Sequence, residues 1–82
     1  MSYIITFPNT HMAIYGEKAL LQAGFSVGVM PVPASIKAGC GIALRVNDYL
    51  KAQEQLAESN IAFSEIYEAE QSEGKTHYKQ II

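Results

Sequence analysis

The chain contains a single cysteine, and both of its neighbours are glycine: Cys40 closes the segment Pro31-Val-Pro-Ala-Ser-Ile-Lys-Ala-Gly-Cys-Gly41. The prolines hold the approach extended, Gly39 and Gly41 permit backbone angles closed to other residues, and no bulky neighbour shields the sulfur. Structural cysteines sit more often inside apolar runs. The pattern therefore reads as an exposed nucleophilic or carrier thiol, against the plainer reading of a small residue filling space under a turn. With no second cysteine in the chain, neither an internal disulfide nor an internal dithiol cycle is available. A mixed disulfide, or carriage of a persulfide or selenide, is the chemistry that remains.

Two other side chains have types that could assist such a thiol. His11, beside Thr10 at the start of a helical pattern, reads either as a proton partner for Cys40 or as an ordinary polar residue of a first helical turn. Lys37, three residues before the cysteine, would attract an anionic thiolate, persulfide or selenium species, or would simply be solvated. Tyr15, Tyr49 and Tyr67 read as core and rim aromatics, and Ser35 as a loop hydrogen-bonding residue. No Ser-His-Asp arrangement, phosphate-binding loop or dinucleotide fingerprint is present, so hydrolysis and nucleotide chemistry have no sequence support.

Composition narrows the class further. At 82 residues the chain has room for one domain, which by size buries roughly 60–65% of the surface its unfolded form exposes. It is 49% hydrophobic and 17% charged, with a mean hydropathy of +0.05, as expected of a globular protein. Six Lys and Arg against eight Asp and Glu leave a formal charge of −2, which argues against a nucleic-acid partner. Two histidines and one cysteine make no structural metal site, and no cofactor is expected. No apolar run reaches the roughly 18–20 residues of a membrane span, and the start of the chain lacks a signal-peptide pattern. The expectation is a cytoplasmic, reducing location, with a homo-oligomer compatible with the sequence.

The elements that must position Cys40 follow from changes of period. Tyr3-Ile-Ile-Thr-Phe7 is a β-branched and aromatic run stopped by Pro8, which predicts a strand over 2–7. Met12, Tyr15, Ala19, Leu20 and Ala23 recur at helical spacing, predicting a helix over 10–23 with Asn9 or Thr10 as cap and Gly24 as stop. Gly16 inside it costs about 1 kcal/mol relative to alanine, which suggests a close packing contact. Strands are expected at 25–30, 42–47 and 62–68, and a second helix, opened by Asn47-Asp48, at 48–59. Residues 1–70 then form one domain, and 71–82 a polar tail or short extension.

This order, β-α-β-β-α-β, predicts an α+β ferredoxin-like two-layer sandwich built on split βαβ units. In that topology the end of the first strand, the start of the first helix and the loop between the second and third strands share one edge. Thr10 and His11 are thereby expected near Cys40, where a helix N-terminus stabilises a thiolate. The thiol is expected to titrate below its ordinary value of about 8.5.

Phe7, Thr10-His11, Glu17-Lys18, Pro31-Val-Pro33 and Gly39-Cys-Gly-Ile-Ala-Leu-Arg45 together resemble a small bacterial family of selenium or sulfur carrier-like proteins, over most of the chain. The resemblance implies that Cys40 accepts a persulfide or selenide from a donor protein and hands it to an acceptor protein. Thr10, Lys37, Gly39 and Gly41 are the expected binding residues, and the role is that of a carrier more than of a stand-alone enzyme. The competing class is a non-catalytic interaction or regulatory module in which Cys40 merely packs in a tight turn.

Overall fold

The structure is a computed structural model that describes residues 2–36 and 41–82. Its elements are strand β1 (Ser2–Thr6), helix α1 (Thr10–Gln22), strands β2 (Gly28–Pro31) and β3 (Ile42–Val46), helix α2 (Tyr49–Glu58), and strands β4 (Glu65–Ser72) and β5 (Lys75–Gln80). The architecture is α+β, with two helices and one five-stranded antiparallel sheet ordered β2-β3-β1-β4-β5.

The two helices begin and end alike. Asn9 and Asp48 cap them through side-chain oxygens that accept from Met12 N–H at 2.9 Å and Lys51 N–H at 3.1 Å, satisfying donors that a helix start leaves orphaned. At the other end Phe25 N–H reaches back to Leu20 C=O and Ile61 N–H to Leu56 C=O. These are Schellman closures, with Gly24 (φ 89°) and Asn60 (φ 58°) in the left-handed conformation that such closures need. Each helix therefore returns the chain to the sheet by the same device.

Alternation along the strands divides the apolar residues between two faces. Ile5, Phe7, Leu44, Val46 and Ile66 turn toward Ala13, Leu20, Ala52 and Leu56 of the helices and form the main core. Gly16 lies where the helices meet the sheet: a Cβ there would stand 2.9 Å from Phe7 Cζ and 3.4 Å from Leu56 Cδ2. The close contact anticipated from that glycine is thus present. Ile4 and Ala43 point to the opposite face, where they form a smaller cluster with Ile36.

Three expectations change. The second strand occupies 28–31 and not 25–30, because Phe25 and Val27 pack on the main core before pairing with β3 begins. The strand expected at 62–68 runs over 65–72. Residues 71–82, expected as a polar tail or short extension, carry the end of β4, a two-residue turn and β5, after which Ile81 N–H donates to Ile66 C=O at 2.9 Å. Glu73 (φ 52°) and Gly74 (φ 78°) both take positive φ, as a tight hairpin turn of this hand demands.

Candidate functional site at the β2–β3 loop

Register sets the position of the loop that leads to Cys40. Thr6 pairs with Ala43, and Pro31 pairs with Ile42. The end of β1, the end of β2 and the start of β3 therefore lie at one end of the sheet. Phe7, Pro8 and Asn9 then lead from β1 directly into α1, so the helix starts at that same end. β1 and β2 run in one direction with β3 between them.

The described flanks of the loop are ordered by two backbone hydrogen bonds. Val32 N–H donates to Gly41 C=O at 3.1 Å and closes the loop mouth, and Ile36 N–H donates to Pro33 C=O at 2.9 Å in a turn over Pro33-Ala-Ser-Ile36. That turn drives Ile36 down onto Ile4 and Ala43, where it is 7% exposed. Ile36, with Val32 packed against the same cluster, thus pins the descending limb of the loop to the sheet, on the face opposite α1. Gly41 is exposed, and a Cβ there would meet no atom within 4 Å. Among the described residues, nothing crowds Gly41.

Of the other expected site residues, Thr10 and His11 are the first two residues of α1, and both are exposed. Asn9 is the cap and occupies the Met12 N–H, one of the donors that the helix start would offer an anion. Lys37, Gly39 and Cys40 lie outside the described residues. Thr10 and His11 share the sheet end with the loop mouth, whereas the loop's anchor Ile36 sits on the far face.

One polar pair beside that anchor escapes the sequence reading. Tyr67, packed with Ile36 and Ile4, donates its hydroxyl to Glu65 Oε1 at 2.9 Å. Burial first, and then the hydrogen bond and the negative charge of Glu65, hold the phenol above its ordinary pKa. Glu65 is itself fixed to β1, since its N–H donates to Thr6 Oγ1 at 3.1 Å and its C=O accepts from that hydroxyl at 3.3 Å. The signal was the Glu-x-Tyr spacing, which puts both side chains on one face once the segment is a strand. Among the described residues no group of three or more His, Cys, Asp or Glu side chains could hold a metal ion. No helix among them is long and apolar enough to cross a membrane.

The described residues define a small α+β domain in which Val32 and Gly41, the described flanks of the β2–β3 loop, meet at one sheet end. The family described as "Putative Se/S carrier protein-like" matches residues 2–68, which include every expected site residue. The chain belongs to this family. No curated protein and no solved structure matches it.

Proposed function

We propose that the protein is a sulfur or selenium carrier in which Cys40 is the carrier thiol. The observation that supports this most strongly is the family match over 2–68, which takes in the loop whose flanks are pinned by Ile36 and by the Val32–Gly41 hydrogen bond. In the loading step the Cys40 thiolate attacks the sulfane sulfur of a donor persulfide. A new S–S bond forms, the donor's S–S bond breaks, and its electron pair leaves on the donor thiolate. Attack on the terminal sulfur by an acceptor thiolate reverses these roles and restores Cys40. Selenium follows the same course from a donor perselenide: the Cys40 thiolate attacks its outer selenium, a new S–Se bond forms, and the donor's S–Se bond breaks with the electron pair leaving on the donor thiolate. Such transfers need an exposed nucleophile and a docking surface, not an enclosed pocket, and the partners are donor and acceptor proteins in a reducing compartment.

In this reading the strand order is that of a ferredoxin-like split βαβ sandwich, with β5 added beside β4. Thr10 and His11 contribute a helix N-terminus at the loop's end of the sheet, and Lys37 a positive charge on the loop itself. Comparison of Cys40→Ser with the parent protein tests the assignment. Loading from a low-molecular-weight polysulfide should vanish while the unfolding free energy changes by less than about 0.5 kcal/mol, as for an exposed position. Destabilisation of about 1–3 kcal/mol, from burying a hydroxyl without a partner, would return Cys40 to a packing role.

A further inference from the structure

At the opposite end of the sheet from the Cys40 loop, the outward face carries a cation held in a shaped seat. Arg45 pairs with Gly28 across the β2–β3 ladder. A Cβ on residue 28 would lie 3.2 Å from Arg45 Nη2 and 3.4 Å from Nε. The exposed guanidinium therefore lies over the glycine, and a side chain at residue 28 would have to push it aside. Among the described residues no carboxylate forms an ion pair with Arg45. Two depressions meet at it: one of about 380 Å³ edged by Ser2, Ser26, Gly28 and Asn47, and one of about 140 Å³ reaching Gln71 and Tyr78. The polar side chains around the cation are hydroxyls and amides, with no acid among them.

We propose that Arg45 anchors a binding site for a small organic molecule bearing an oxyanion, a carboxylate or a phosphate. The guanidinium presents parallel N–H donors that match two oxygens of such a group, an arrangement a lysine cannot reproduce. Ser2, Ser26 and Asn47 supply neutral hydrogen-bonding groups at the rim of the larger depression. Its volume lies at the lower end of small-ligand sites and exceeds what a single ion needs, which assigns the remaining space to the body of the ligand. The site stands apart from the carrier loop and does not depend on the role of Cys40.

Titration at constant ionic strength, followed by the NMR signal of Arg45 Nε–H, tests the proposal with inorganic phosphate, acetate and butyrate as probes. The expected result is a saturable shift, tighter for butyrate than for acetate because the depression receives the alkyl chain. Arg45→Gln, followed by the backbone amides of Gly28 and Asn47, should weaken binding by about tenfold or more. Arg45→Lys and Gly28→Ala should each weaken it, the first by losing the fork and the second by displacing it, while Cys40→Ser leaves it unchanged. Equal saturable binding of phosphate, acetate and butyrate would reduce the site to one for free ions and overturn the organic ligand. Absence of saturation, or equal binding by Arg45→Gln, Arg45→Lys and the parent protein, would overturn the site altogether.

Discussion

The two faces of the sheet are built to different standards. On the helix side Phe7, Leu20, Leu44 and Leu56 are fully buried, and α1 and α2 close over the strands. On the opposite face the buried cluster among the described residues is Ile4, Ala43 and Ile36, with Met30, Val32, Tyr67 and Tyr78 around it. The first face carries the stability of the fold. The second is where the loop that leads to Cys40 touches down, through buried Ile36 and half-buried Val32. The thin cluster can therefore be altered without dismantling the domain, and function and folding become separable by substitution.

The largest expected effect lies on the helix side. Phe7→Ala removes a ring that fills the space between Gly16 and Leu56, and should cost about 3–5 kcal/mol in denaturant unfolding, enough to unfold much of so small a domain. Gly16→Ala tests the same contact from the other direction. Helix propensity favours alanine by about 1 kcal/mol, but the added methyl would press on a ring with no room to swing, a cost of about 1–3 kcal/mol. Net destabilisation is expected; a rise in stability would show that the ring yields.

On the opposite face the effects are smaller and local. Ile36→Ala should lower stability by about 2 kcal/mol, the lower end for such a truncation, because the site borders solvent. Hydrogen exchange at Val32 N–H, which closes the loop mouth, should accelerate more than exchange in α2. Uniform acceleration would mean that the two faces are one cooperative unit. The smallest effect concerns Tyr67. Its raised pKa means that the folded state holds the phenolic proton more tightly than the unfolded chain does. The corresponding stability is present below about pH 10 and is lost as pH rises through the folded value. Tyr67→Phe should flatten that alkaline limb of the stability curve; an unchanged limb would contradict the raised phenol pKa.

Legibility in the sequence followed how local each signal was. Both helices, the cap positions to within one residue (Asn9 or Thr10, Asn47-Asp48) and the tight contact at Gly16 could be read from spacing, because period, cap and glycine act within a few residues. β5 could not. It is a polar edge strand with Thr76 and Tyr78 alternating against Lys75, His77 and Lys79, and its Glu73-Gly74 turn is a weaker signal than Asn-Gly or Asp-Gly. Phe25 and Val27 misled in the other direction, since they alternate like a strand while serving the core ahead of the ladder. The seat of Arg45 on Gly28 depends on the register of two strands, which no local pattern encodes. For the candidate site, the residue types around Cys40 were readable, as was the shared sheet end, whereas the anchoring of Ile36 on the far face emerges only from the fold.

The carrier assignment is tested most directly by intact and tandem mass spectrometry of the protein isolated without reductant from the cells that make it. The account predicts a mass increment of one sulfur or one selenium atom located on Cys40, removed by dithiothreitol, transferable to an acceptor thiol and absent from Cys40→Ser. A Cys40 recovered only as the bare thiol, and unable to pass on sulfur or selenium after loading in vitro, would contradict it.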